Sequence, residues 1–124
     1  MNGNNIVADT SLLVNFFNGY EVAKKALVDQ RIWISCITEI ELLSFPGLPD
    51  NEKHLLRSFI DQCTLIEWDK SVRQLTIDLR SRHRLKVPDA IIAASSIHLD
   101  FPLVTMDNDF NQIEELNAVI LSFI

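Results

Sequence analysis

The stretch Leu85–Ser96, LKVPDAIIAASS, places a single carboxylate, Asp89, between a proline and an unbroken run of apolar and small residues. Pro88 suits the first turn of a helix, where a backbone N–H has no partner within the helix. The run that follows lacks a polar face, which is typical of a helix buried in a core. Asp89 therefore lies at the start of a buried helix, either to favour the helix terminus or to take part in chemistry.

Short apolar runs alternate with helical patterns on both sides of this stretch. The predicted strands are Ile6–Ala8, Ile32–Ser35, 64–68, 102–105 and 118–123. The predicted helices are 11–19, 21–30, Thr38–Phe45, 52–63, 71–84, 89–99 and 108–116. Strands that alternate with helices predict a parallel sheet covered on both faces. No repeat or linker interrupts the pattern, so we expect one three-layer α/β/α domain over residues 1–124.

The composition is that of a compact folded chain. Of 124 residues, 48% are hydrophobic, and only three are glycine and four proline. The net charge of −6 argues against a protein that simply coats nucleic acid, which would usually be basic. That argument weakens if several carboxylates are gathered in one place and neutralised by a metal ion.

Targeting signals are not visible in the sequence. No apolar run approaches the ~20 residues of a membrane span, and the first residues, MNGNNIVADTS, do not resemble a secretory signal. Cys36 and Cys63 are widely separated and lack metal-ligand spacing, which favours reduced thiols over a disulfide. We expect a cytoplasmic protein without a membrane partner.

Four acidic residues occupy equivalent places in the pattern. Asp9 and Asp107 each follow a predicted strand, Glu41 lies in the first turn of the helix after the second strand, and Asp89 opens the buried helix. Each has an alternative reading as a helix cap or first-turn acid, and Thr38 to Glu41 also matches a capping box. Taken singly, none of the four distinguishes capping from function.

The four acids become informative together. The carboxyl ends of parallel strands lie along one edge of a sheet, where ligands bind. Clustered carboxylates repel one another unless a cation is bound or their pKa values are raised. Ligands that are all oxygen favour Mg²⁺ or Mn²⁺ over zinc. The sequence therefore predicts a divalent-cation site of the kind that acts on phosphate esters.

These residues also resemble a known family. The segments IVADTS, TEIEL, PDAIIAAS and LVTMDNDF, in this order and spacing, resemble the PIN domain, and within it VapC-type toxins of toxin–antitoxin pairs. The resemblance implies a five-stranded parallel sheet, a Mg²⁺- or Mn²⁺-dependent ribonuclease, a homodimer and inhibition by a small VapB-type antitoxin. Carried over by position, it implies Asp9, Glu41, Asp89 and Asp107 as catalytic residues, with Asp9, Asp89 and Asp107 as the metal ligands.

Secondary candidates surround these acids. Asp109 matches an acidic position of variable role, and three hydroxyls, those of Thr10, Ser11 and Thr105, adjoin the main acids. Ser11 is expected to cap the first helix rather than to contact Asp9. A basic run, with Arg80, Arg82, Arg84 and Lys86, either is a solvated helix end or holds RNA phosphates. In VapC-like proteins a groove near the early helices receives the antitoxin, so Phe16 or Phe17 is a candidate for exposure there.

The main hypothesis is a metal-dependent endoribonuclease that acts as a toxin. The alternative is a catalytically inactive PIN-like interaction or scaffold module, which has no reason to keep four repelling carboxylates. A receiver-type phosphoacceptor domain would need an acidic pair after the first strand, and a haloacid-dehalogenase-type phosphatase would need D-x-D there. Thr10 and Ser11 occupy those positions, so both of these readings fail.

Overall fold

The sheet has five parallel strands, as the alternating pattern predicts. The computed structural model describes residues 4–123. The strands are β1 (Asn5–Ala8), β2 (Arg31–Ser35), β3 (Thr64–Ile66), β4 (Leu103–Thr105) and β5 (Ala118–Ile120), in the spatial order β3-β2-β1-β4-β5. All four pairings are parallel. The order reverses at β1, so β1 and β4 flank the switch point where ligands bind in open α/β sheets.

Helices connect the strands and cover both faces of the sheet. They are α1 (Thr10–Phe17), α2 (Glu21–Leu27), α3 (Cys36–Leu43), α4 (Asp50–Gln62), α5 (Lys70–Arg82) and α6 (Val87–Leu99). The last predicted helix is shorter than expected, because only a 3₁₀ helix, Asn108–Gln112, forms there. Among the helices of residues 4–123, none has the length and apolar content that crossing a membrane requires.

The core consists of two apolar layers, one on each face of the sheet. Side chains of β1 alternate between them: Ile6 and Ala8 pack with α1 and α2, whereas Val7 packs with α5 and α6. Helix α6 is buried from Ala90 to Ser96, as its apolar sequence predicts. This burial holds the amino end of α6, and with it Asp89, in a defined position.

Three predicted helix starts are wrong. Ser11 does not cap α1, because Asp9 is the N-cap and accepts a hydrogen bond from the Leu12 N–H at 3.0 Å. Helix α3 begins two residues before Thr38, with Ser35 as its N-cap. Helix α4 begins at Asp50, two residues before its predicted start at residue 52, with Pro49 at its N-cap and no side-chain cap.

Other local expectations hold. Helix α5 begins within one residue of its predicted start, and Asp69 is its N-cap, with a carboxylate that accepts from the Val72 N–H at 2.9 Å. Cys36 and Cys63 are free, half-buried thiols. Burial raises the pKa of the Cys63 thiol to about 11, so that thiol is protonated and unreactive at neutral pH.

Candidate active site

Three carboxylates meet beside the carboxyl ends of β1 and β4. One oxygen from each of Asp89, Asp107 and Asp109 lies within 4.8 Å of the others. Asp89 comes from the first turn of α6, Asp107 caps the 3₁₀ helix, and Asp109 lies in that helix's first turn. The 3₁₀ helix thus aligns Asp107 and Asp109, because the Asp107 carboxylate accepts from the Asp109 N–H at 2.9 Å. We refer to Asp89, Asp107 and Asp109 as the acidic trio.

Asp9 lies next to the acidic trio but is held differently. Its side chain is only 3% exposed, and both carboxylate oxygens accept hydrogen bonds from the protein. The Ser11 hydroxyl donates at 2.9 Å to either oxygen, and the Thr105 hydroxyl donates to Oδ2 at 2.6 Å. Burial raises the pKa of Asp9, and the negative charge of Asp107 raises it further. The hydrogen bonds to the carboxylate lower the pKa but do not cancel the effect of burial. Asp9 is therefore a buried, fixed carboxylate beside three more accessible ones.

The hydroxyls join the two strand ends into one unit. The fully buried Thr105 hydroxyl donates to Asp9 and accepts from the Asp107 N–H at 3.0 Å. The Ser11 hydroxyl likewise accepts from the Met106 N–H at 3.1 Å. The expectation that Ser11 serves as a helix cap rather than contacting Asp9 is wrong, because its hydroxyl lies on the Asp9 carboxylate.

Glu41 stands apart from the acidic trio. Its side chain is exposed on α3, and Oε1 accepts a hydrogen bond from the Thr10 hydroxyl at 2.6 Å. The Thr10 hydroxyl also contacts the Thr38 hydroxyl at 3.2 Å. The capping-box reading of Thr38 to Glu41 is wrong, since the helix already begins at Cys36. Thr10 directly follows Asp9, so this hydrogen bond ties Glu41 to the segment that carries Asp9. The Glu41 carboxylate is nevertheless not part of the acidic trio.

The electrostatics of the acidic trio are those of an uncompensated cluster. Burial raises the pKa of Asp89 to about 6, and repulsion from Asp107, Asp9 and Asp109 contributes further, with Lys86 opposing the rise. A divalent cation would relieve this repulsion, and hard carboxylate oxygens are the ligands that Mg²⁺ and Mn²⁺ prefer. The separation of the oxygens and the absence of histidine or cysteine from the trio fit such a cation. The third ligand of such a cation would then be Asp109, whereas the family resemblance implied Asp9.

The basic run is divided between structural and available cations. Arg82 pairs with Asp78 at 2.7 Å and with Glu115, and these carboxylates raise the pKa of its guanidinium. His83 Nε2 also lies 3.1 Å from Glu115. Within residues 4–123, no carboxylate lies within ion-pair distance of Arg84 or Lys86, and both side chains are exposed. Arg82, the last residue of α5, is therefore engaged in ion pairs, whereas Arg84 and Lys86 lie beyond that helix and remain available to a ligand.

The protein is thus an α/β domain with an open parallel sheet, and its carboxylates gather at the switch point of that sheet. Such a cluster of carboxylates is the kind of site that binds divalent cations. The family model of the PIN domain matches residues 6–116. The chain belongs to the PIN domain family. The expected fold and family resemblance are thereby confirmed.

Solved structures with the same fold come from toxin–antitoxin complexes. A chain of a toxin–antitoxin complex from Klebsiella pneumoniae has 27% identity and a TM-score of 0.81, over 92% of this chain and 95% of that one. VapBC from Salmonella typhimurium, bound to DNA, aligns at 17% identity and a TM-score of 0.81, over 97% and 98%. VapBC2 from Rickettsia felis, bound to a promoter fragment, aligns at 20% and 0.75, over 95% and 99%. No curated protein sequence matches the chain at a significant level.

Proposed function

We propose that the chain is a single-domain, Mg²⁺- or Mn²⁺-dependent endoribonuclease and the cytoplasmic toxin of a VapBC-type toxin–antitoxin pair. The observation that carries this proposal is the acidic trio beside buried Asp9 in a PIN domain. A purely structural domain gains nothing from three clustered carboxylates, of which Asp89 has its pKa raised by burial and by its acidic neighbours. The likeness to toxin–antitoxin chains supports the biological role.

The residues divide the work at the site. Asp89, Asp107 and Asp109 would hold the cation, while Thr105 and Ser11 fix Asp9 beside it. When bound, a divalent cation activates water as a nucleophile and neutralises charge that develops on a phosphodiester. Glu41, oriented by Thr10, adds a carboxylate at the rim of the site. Hydrolysis of this kind leaves a 5′-phosphate and a 3′-hydroxyl, because the 2′-hydroxyl of RNA is not the attacking group.

The antitoxin would bind in a groove of about 730 Å³ between α1, α3 and α4, here called the α1–α4 groove. Its exposed apolar side chains include Val14, Phe17, Phe45 and Leu55. Both Phe16 and Phe17 pack against Phe59, but Phe16 is half-buried whereas Phe17 remains 40% exposed. Phe17 is therefore the member of the pair that could contact the antitoxin. An apolar segment of a small partner would cover these side chains.

Thr10 and Glu41 also line the α1–α4 groove, so a bound partner would reach the rim of the acidic site. A homodimer remains part of the proposal on the strength of the family resemblance. The basic residues Arg84 and Lys86, with Arg80, would contact RNA phosphates near the otherwise acidic edge. Arg82 is less available for that role because of its ion pairs.

A cleavage assay with a matched variant tests the enzymatic proposal. We expect the purified chain to cut RNA with Mg²⁺ or Mn²⁺ and to stop when a chelator is added. Asp107→Asn should abolish cutting, whereas Asp61→Asn, which removes an exposed carboxylate of α4, should leave it unchanged. Products that end in a 2′,3′-cyclic phosphate, or cutting that persists in Asp107→Asn, would refute the mechanism. No cutting with any RNA would favour the inactive interaction module.

Co-expression tests the biological role. The chain alone should arrest growth, and expression of the neighbouring gene should restore growth and yield a complex that purifies together. Growth arrest that depends on Asp107 would connect the toxic effect to the acidic trio. Arrest that persists in Asp107→Asn would separate the two.

A further inference from the structure

A second groove, of about 580 Å³, lies between α5 and α6 and shares only Arg80 with the surfaces proposed above. Its walls include Trp68, Arg73, Ile77, Arg80, Val87 and Ile91. Three of the apolar side chains in these walls are exposed to solvent: Trp68 is 43% exposed, Val87 47% and Ile77 57%. An exposed indole beside two arginines is a combination that neither core packing nor solubility explains. We call this surface the α5–α6 groove.

The arginines of this groove have no acidic partners. Among the arginines of residues 4–123, Arg57 and Arg82 form ion pairs with carboxylates, whereas Arg73 and Arg80 form none. The Nε–H of Arg80 donates to the Leu85 carbonyl at 3.0 Å, which holds the guanidinium in place while its terminal N–H groups remain available. Lys70 to Lys86 contains six of the eleven basic residues of an acidic chain. The groove is thus a local positive surface on a negative protein.

The groove runs from the neighbourhood of the acidic site along α5. Arg73, Ile77 and Arg80 are spaced i, i+4, i+7 and share one face of that helix. On α6, Val87 and Ile91 lie two residues before and after Asp89, so they face the side of the helix opposite Asp89, beside the first turn that carries it. From Lys70 to Arg82, α5 rises about 18 Å at about 1.5 Å per residue, which is enough for a few nucleotides of an extended strand. A strand that crosses the amino end of α6 would continue into the groove.

We propose that the α5–α6 groove binds a single-stranded segment of RNA that flanks the cleaved bond, with a base stacked on Trp68 and phosphates on Arg73 and Arg80. The inference rests on the proposed ribonuclease function. Aromatic side chains bind unpaired bases, whose faces are free, whereas paired bases in a duplex are not accessible to them. The groove would therefore select unpaired regions of a substrate.

A second copy of the chain is a poorer occupant of this surface. A two-fold contact places the same patch of each subunit against its equivalent. Such a contact would bring Arg73 and Arg80 of both copies into one interface, and the groove's lining contains no acidic residue to pair with them. Burying charges without partners is strongly unfavourable. Phosphates would supply the missing negative charge.

Binding of a short fluorescein-labelled oligoadenylate, measured by anisotropy in chelator to prevent cutting, tests this inference. Trp68→Ala should weaken binding about five- to hundredfold, and Trp68→Phe should restore most of the affinity because it keeps an aromatic face. Arg73→Gln with Arg80→Gln should lower the slope of log affinity against log salt by about 1.4, at about 0.7 for each phosphate of a single strand. Lys24→Gln with Lys25→Gln, which removes two exposed charges of α2, should leave the slope unchanged.

The outcomes separate this inference from the function on which it rests. If the wild-type chain cuts RNA with Mg²⁺ but both groove variants bind oligoadenylate like the wild type, the groove proposal alone fails. If sedimentation shows a dimer that Trp68→Ala dissociates, the groove is a subunit interface and the proposal is wrong. If the wild type neither binds nor cuts RNA, both proposals fall. Should Trp68→Ala fail to fold, the arginine pair, which is exposed, decides the question.

Discussion

Asp89→Asn tests whether Asp89 belongs to an acidic site or merely starts a helix. Burial and three neighbouring carboxylates raise its pKa from 3.8 to about 6, so its ionised form destabilises the folded protein at pH 7. The rise corresponds to at most about 3 kcal/mol. Asp89 is only half-buried, and solvent screening reduces the expected effect to about 1–2 kcal/mol. Removing the charge should therefore stabilise the metal-free protein.

Two smaller effects adjust this magnitude. A carboxylate in the first turn of a helix is favoured by about 0.3–1 kcal/mol, which the variant loses. No capping hydrogen bond is lost, because α6 has Lys86 at its N-cap and no side-chain cap. The net gain is about 1 kcal/mol, or roughly 3–5 °C in the thermal midpoint for a chain of this size. Asp50→Asn, which changes an exposed first-turn carboxylate of α4, should instead lower the midpoint slightly.

The effect of Asp89→Asn should depend on pH and on metal. A carboxyl group whose pKa is raised on folding holds its proton longer in the folded chain, so wild-type stability falls as pH rises from about 4 to about 6. The variant lacks this fall, and its advantage should vanish at pH 4. With Mg²⁺ at a hundredfold excess over Kd, the wild type gains about 2.7 kcal/mol and the variant little.

The assay is thermal unfolding from pH 4 to pH 7, in chelator and in Mg²⁺, followed by RNA cleavage. A variant that melts below the wild type in chelator by the same margin at every pH, and still cuts RNA, would show that Asp89 only starts a helix. A variant that melts higher at pH 7, gains nothing from Mg²⁺ and does not cut RNA would place Asp89 in the site.

Other substitutions address the hydroxyls, the basic run and the partner groove. Thr105→Val should lower the free energy of unfolding in urea by about 1–3 kcal/mol, because buried Asp9 loses a donor and the Asp107 N–H loses its acceptor. Thr105→Ser should recover most of this loss, and an unchanged urea midpoint in Thr105→Val would contradict the role of the hydroxyl. Arg84→Gln should lower the salt slope of RNA binding by about 0.7, whereas Arg82→Gln should leave it unchanged, and equal effects would remove the distinction between them. Phe45→Glu should prevent co-purification of the antitoxin while leaving the fold intact, because the Phe45 side chain is 67% exposed in the α1–α4 groove. Retention of the antitoxin by that variant would exclude the groove as its binding surface.

Local sequence determined the order of elements and the position of most acids. A strand, an acid and a helix follow one another at Asp9 and near Asp107, and the apolar run after Pro88 and Asp89 predicts a buried helix. These features depend on residues within one or two turns of each other, so periodicity and spacing report them. The ordered motifs were specific enough to indicate the PIN domain before any contact was known.

Tertiary structure decided which side chains share the site. The sequence ranked Asp109 below Asp9, yet the fold places Asp109 in the acidic trio and surrounds Asp9 with protein donors. The donor from Thr105 lies 96 residues away along the chain, and Thr10 reaches Glu41 across 31 residues. Such contacts depend on how strands and helices pack, and no pattern within a single element encodes them. The same packing, rather than the run of basic letters, separates the paired Arg82 from the available Arg73 and Arg80 of the α5–α6 groove.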